Sequence, residues 1–343
     1  MSEAVAAGPV VHSPSHPLHA GARLWPETNC YADVWIELLH WAELDPVASF
    51  FYALGMDWEG DQFTFFKPPH EDLRTLYGIE VQELALWKPL EVHVEEQCAL
   101  GRVVLVEADS FWLPDTAGTT YREGRTKSTI GAWRIDRPSR QLWYFHGAGS
   151  YRLEGDDYDG ALMRRADQQV PPVMAPYAEI VKLGGVERVS GSEQARRARH
   201  LLAKHVRRMP KANPFAAYAA AFDGHQAWLM SESMERFHQY AFVTVRQAGA
   251  CWLMVADHLA WHADRGLDGL DGLDGLDGLD GLDGALGSAR TITETCKSLQ
   301  MALARATHRR RPMDASASLA TLAREWTRCR DALAALLPTL EHA

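Results

Sequence analysis

A cysteine stands where an amphipathic helix has to begin. In the stretch from Asn29 to Ala42, the residues Val34, Trp35, Leu38, Leu39 and Ala42 recur at helical spacing, so one face of the segment belongs against a core. Asn29 suits the N-cap, and Asp45-Pro46 suits a stop. Cys30 then falls in the first turn, beside backbone N–H groups without intrahelical partners and at the positive end of the helix dipole. That setting favours a nucleophilic thiolate. A small apolar residue filling a helix start is the simpler reading of the same position.

The 343 residues are enough for a substantial core and for two domains. Arg246, Asp257 and His258 interrupt the longest apolar run, which excludes a membrane span there. The first twenty residues have no basic n-region and no continuous apolar h-region, so they read as a disordered tail and not as a signal peptide. Five scattered cysteines, Cys30, Cys98, Cys251, Cys296 and Cys329, form no CxxC pair. This argues for a reducing cytoplasm and against a disulfide framework or zinc ribbon.

The net charge of −10 includes six aspartates from a GLD repeat over residues 266–284, and the remainder carries −4. The triplets contain no proline, so a collagen helix does not form. The repeat reads as a flexible linker between two helices.

Two regions follow from the patterning. Up to residue 189 the chain mixes helix and strand. Arg102–Asp109 reads as a buried strand, and 128–136 pairs with 141–146 as a hairpin across the turn 137–140. From residue 190 the chain reads as helices. Phe237, Ala241, Thr244, Ala248, Trp252, Val255 and Leu259 share one stripe, and Leu319, Leu322, Trp326, Cys329, Leu333 and Leu336 share another. Such stripes are bundle core.

Few other constellations carry chemistry. His258 and His262 are four apart on a helix, but the intervening residue pattern is not HExxH and no third ligand is evident, so no metal is assigned. No P-loop, GxSxG or dinucleotide fingerprint occurs. Arg197, His200, Lys204, Arg208 and Lys211 form a basic helical stripe. It reads either as a solvated face or as a ridge for an acidic partner protein. The overall charge balance gives no support to nucleic acid binding.

The segments NCYADVWIELLHWAELDP, EGDQFTFFKPPHEDL, VEADSFWLPDTAGTTY, TKSTIG, YFHGAGSY and ERFHQYAFVTVRQAG resemble the hallmark segments of a bacterial family of unknown function, family 1839, over about residues 28–250. More distantly, the cysteine helix and the strand ending in Asp-aromatic-x-Leu-Pro resemble the N-terminal domain of the butirosin-biosynthesis acyltransferase. That family is related to papain-like cysteine peptidases and passes an aminoacyl group from a carrier-protein thioester to an amine. The resemblance implies a papain-like α+β domain over residues 21–189, with an antiparallel sheet and a nucleophile helix, followed by a helical bundle domain over 190–343.

It also implies Cys30 as nucleophile, with Asn29 and the helix-start N–H groups at the oxyanion. A papain-like site further needs a histidine base on a later strand and an orienting carboxylate or amide. The expected stretch, Tyr121–Ser128, holds no histidine. His146, or a desolvated Lys127, is then the remaining base candidate. Asp109 and Asp115 orient a base, bind a substrate amine or cap loops. Asp61 and Lys67 border the cleft or form a surface ion pair. Arg197, Lys204 and Arg208 would receive a carrier protein, whose phosphopantetheine is the substrate arm; no bound cofactor is expected. The reading is acyl or aminoacyl transfer from a carrier thioester to a small-molecule acceptor. A non-enzymatic, degenerate papain-like scaffold that binds a carrier protein or partner enzyme is the alternative, and a cysteine hydrolase is a third.

Overall fold

A computed structural model describes residues 15–19, 23–168, 175–265 and 276–342. The chain divides into one unit of residues 1–44 and 73–188 and a second of residues 45–72 and 189–343.

In the first unit the β-branched and aromatic runs form one sheet. Its strands are β1 (Glu80–Glu83), β2 (Arg102–Asp109), β3 (Lys127–Asp136), β4 (Gln141–His146), β5 (Gly149–Glu154) and β6 (Ala178–Lys182). Their spatial order is β1-β6-β2-β3-β4-β5, with every pair antiparallel. Val103 to Val106 are all buried, because β2 is central and covered on both faces. Helix α1 (Cys30–Trp41) packs on β3 and β4. Gly131 permits this approach: a Cβ there would lie 3.0 Å from Val34 Cγ1 and 3.3 Å from Leu105 Cδ2. Helix α2 (His70–Tyr77) enters this unit at Leu73. On the opposite face, Val104, Val106, Ile130, Ala132 and Tyr144 pack with Leu90 and Val94 of α3 (Leu90–Ala99) and with Tyr158 and Ala161 of α4 (Gly155–Ala161).

Helix α1 carries two buried carboxylates. Asp33 accepts from Thr28 N at 3.0 Å and from Thr28 Oγ1 at 2.6 Å. Glu37 Oε1 lies 2.5 Å from His19 Nδ1 and accepts from His16 N at 3.0 Å. The expected tail is therefore corrected over its last part. Residues Pro17–His19 form a short helical turn with His19 buried, because buried carboxylates need partners. Residues 1–14 lie outside the described residues.

The second unit holds helices α5 (Gly191–Arg208), α6 (Pro214–Leu229), α7 (Met234–Ala241), α8 (Gln247–Asp264), α9 (Leu276–Arg309), α10 (Ser316–Ala335) and α11 (Leu337–His342). The expected boundary near residue 190 misses one segment: residues 45–72 belong here and not with the sheet. Phe50, Phe51, Tyr52, Leu54, Met56, Phe63 and Phe66 are all buried. A π-turn at Phe242–Arg246, with Thr244 off helical geometry, joins α7 to α8. Val243 O accepts from Phe63 N at 3.0 Å, and Gln247 Nε2 donates to Thr64 O at 2.9 Å. Trp58 and Phe63 pair in a single antiparallel bridge across residues 59–62.

The linker reading of the GLD repeat is also corrected in part. Residues 276–284 form the start of α9, while 266–275 lie outside the described residues. Three residues turn a helix by about 300°, so leucines three apart drift by only about 60° and hold one face over a few repeats. Leu282 is 2% exposed.

Two outcomes follow. Leu282→Ala should cost about 2–5 kcal/mol in urea-unfolding experiments on the full chain. The His19 clasp should weaken in alkali. Burial opposes the charged ring, but Asp33 and Glu37 outweigh burial and raise His19 to about 9. Its contribution is then full below about 6.5, the unfolded value, and is lost as pH rises through 9. Urea midpoints should fall over this window in the wild type and less in His19→Ala.

Candidate active site

The loop after β2 positions a carboxylate. Asp109 Oδ1 accepts from Phe111 N at 3.1 Å and starts a short helical turn over Ser110–Trp112. Ser110 O then accepts from Leu113 N at 3.0 Å and from Thr116 Oγ1 at 3.2 Å. Pro114 opens a second turn, Pro114–Thr116, for which its fixed φ is suited. Trp112 anchors the loop over Gly160, where a Cβ would lie 2.0 Å from the indole. This knot aims Asp115 at β4.

Tyr144 and His146 alternate along β4 and therefore point to the same side. Tyr144 OH donates to Asp115 Oδ1, and His146 Nδ1–H donates to Asp115 Oδ2. His146 Nε2 lies 2.6 Å from Ser128 Oγ on β3. With Nδ1 bearing the proton that Asp115 accepts, Nε2 of the neutral ring accepts from Ser128. Serine, imidazole and carboxylate thus form one continuous relay, with Ser128 8% and His146 7% exposed. Burial lowers the imidazole's proton affinity, but the Asp115 charge and hydrogen bond outweigh it, so His146 is raised above its ordinary value. Burial and Asp115 together hold Tyr144 as the neutral phenol.

Cys30 lies on the other face of the sheet. Gly131 pairs with Phe145, and both meet α1, through Val34 and Trp41. Thr129 shares that face, and its Oγ1 is 3.7 Å from Cys30 Sγ. Asn29 does cap α1, accepting from Ala32 N at 2.9 Å. The residue opposite the thiol is thus a threonine, and the register turns His146 and Ser128 away from α1. The expected pairing of His146 with Cys30 is corrected accordingly.

Other expected residues have structural partners. Lys127 is 55% exposed on its side chain and lies 2.8 Å from Glu107, so the desolvation that a lysine base needs is missing. Asp109 caps its turn and pairs with Arg125 at 2.5 Å. Asp61 and Lys67 are exposed and belong to the helical unit, not to the unit of Cys30. On α5, Arg197 pairs with Glu193 at 2.8 Å and Lys204 with Asp72 at 2.6 Å. Arg208 is exposed. The basic stripe is therefore not a row of free cations.

Sequence reading missed Ser128. No local signal gave it: the register set by the turn 137–140 would place Thr129 and Gly131 on the face of His146, and only the bulge between Ala132 and Arg134 brings Ser128 there. Among the described residues, no group of three or more His, Cys, Asp or Glu side chains is arranged to hold a metal ion. No helix among them is long and apolar enough to cross a membrane.

Residues 14–183 match the DUF1839 N-terminal domain, and residues 191–335 match the DUF1839 C-terminal domain. No curated protein matches the chain.

The thiols differ in access. Cys251, Cys296 and Cys329 are buried, whereas Cys30 and Cys98 are partly exposed. Burial pushes the Cys98 thiol up to about 12, which suppresses its thiolate. Limited iodoacetamide labelling of the native protein, mapped by peptide mass, should mark Cys30 first. Preferential labelling of a helical-unit cysteine would contradict the packing described.

Proposed function

The chain belongs to the DUF1839 family, and we propose that its N-terminal unit is a serine-dependent acyl-transfer enzyme. The carrying observation is the relay Asp115–His146–Ser128, in which each atom has the partner that nucleophilic catalysis requires. Ser128 Oγ attacks the carbonyl carbon of an ester or thioester while His146 Nε2 takes its proton. The C–O or C–S bond breaks, and the leaving group departs with that proton. An acceptor amine, alcohol or water then attacks the acyl-serine, gives its proton to His146 and restores Ser128. Asp115 holds the imidazole in the Nδ1–H tautomer and stabilises the imidazolium, and Tyr144 holds Asp115.

The proposed acyl donor is a thioester on the phosphopantetheine arm of a carrier protein, and the acceptor is a small molecule. That choice follows the sequence resemblance to the butirosin acyltransferase. Since Arg197 and Lys204 are engaged within the helical unit, carrier docking is not assigned to them. A thiol route through Cys30 is the second reading. It is favoured by the partly exposed sulfur at the capped start of α1.

Trapping separates the two. Incubation with a fluorophosphonate, or with acyl-carrier thioesters, followed by peptide mapping should place the adduct on Ser128. Ser128→Ala should abolish it, and His146→Ala should slow it by roughly 10³-fold or more. Cys30→Ser should leave it unchanged, with circular dichroism confirming folded variants. An adduct on Cys30 would support the thiol route instead. Native-like labelling of Ser128→Ala would refute the serine reading, and no adduct from any donor would favour a binding scaffold.

A further inference from the structure

The helical unit buries histidines that the relay does not use. His258 and His262 lie one turn apart on α8, with ring centroids 4.7 Å apart and exposures of 1% and 2%. His258 Nδ1–H donates to Val47 O at 2.9 Å, which leaves a lone pair on Nε2. Nε2 of neither ring meets a hydrogen-bond partner among the described residues. Phe51 and Trp261 wall in His258 at 5.6 and 6.1 Å between ring centroids.

Among the described residues, the charges that act on the pair are mostly positive. Arg199 and His205 of α5 act on it, as does Arg265 just after α8. Two carboxylates lie among these groups, and both are already engaged. Asp45 Oδ2 accepts from Trp261 Nε1 at 2.7 Å and from Arg265 at 3.1 Å. Asp72 lies 2.6 Å from both Lys204 Nζ and His205 Nε2. Helix α9 and the π-turn also pack beside α8, and neither adds a described charge that acts on the two rings. Burial above all disfavours the charged rings. It holds His258 at about 4 and, with His258, Arg199 and Arg265, holds His262 well below the ordinary range.

We propose that His258 and His262 form an acid-triggered switch that opens the helical unit. The closed unit keeps both rings neutral and buried, and the open unit exposes them and takes up two further protons. The sign follows from linkage: the rings titrate lower when folded than when unfolded. Their contribution is full above about 6.5, the unfolded value, and is lost as pH falls toward the folded values. Within that window each ring multiplies the opening constant by up to about tenfold per pH unit, and the pair by up to about a hundredfold. The switch does not depend on the chemistry proposed for Ser128.

The test uses the full chain. Urea midpoints followed by near-UV circular dichroism and tryptophan emission, from pH 7.5 to 4.5, should fall steeply below about 6.5 in the wild type. In His258→Gln/His262→Gln the fall should be shallower by close to two protons. Equal pH slopes in the two proteins would overturn the proposal. Where the double variant does not fold, histidine-ring NMR of the wild type decides. Of the fifteen histidines, at least two should stay neutral in the folded chain down to the pH at which it opens. Titration of every ring above that pH would overturn the proposal as well.

Discussion

The period-two alternation of the β3–β4 hairpin governs the rest of the N-terminal unit. One face of the hairpin receives α1, through Gly131 and Phe145, and the other receives α3 and α4. Side chains one residue apart therefore belong to different layers. Thr129 meets the cysteine, and Ser128 meets the histidine. A single-residue slip would exchange them. Packing on both faces forbids that slip, because it would put a larger side chain where only Gly131 admits Val34 of α1. Chemistry is thus allocated by packing: the layer that excludes water over Tyr144 and Ile130 is also the layer in which Asp115, His146 and Ser128 meet.

Buried charge shapes the molecule in two different ways. Asp33 and Glu37 remain on α1 because a backbone amide, a hydroxyl and His19 satisfy them. Asp115 is likewise satisfied by a phenol and an imidazole. In each case an opposite charge or a donor offsets the loss of water. The histidines of α8 show the reverse solution. Among the described residues, the carboxylate that acts on them, Asp45, is already engaged by Trp261 and Arg265, and they lie neutral among aromatic rings, so the protein's response to protons differs between its two units.

Much of the element structure was legible in the sequence. The N-cap at Asn29, the strand over 102–109, the hairpin with its turn at 137–140 and the helical character after residue 190 all rest on local patterns. Local signals failed where the deciding contact is distant. Residues 45–72 read as part of the first domain by continuity, yet their aromatic residues pack in the helical unit and bond to its π-turn. The GLD triplets read as linker by composition, yet part of them extends α9. Residues 15–19 read as tail, yet the carboxylates they satisfy lie on a later helix.

The sequence by itself determined which chemical groups the chain possesses and their periodicity. It gave a cysteine at a helix start, a lone histidine on a hairpin, two aspartates in a Leu-Pro loop and a histidine pair on a helix. Periodicity is a property of the backbone, so it can be read one residue at a time. Only the tertiary structure decided which groups meet. His146 faces Ser128 and Asp115 because antiparallel register and a loop locked under Trp112 bring them to one face. That juxtaposition depends on distances between residues far apart in the chain, and those distances are set by the packing of both sheet faces at once.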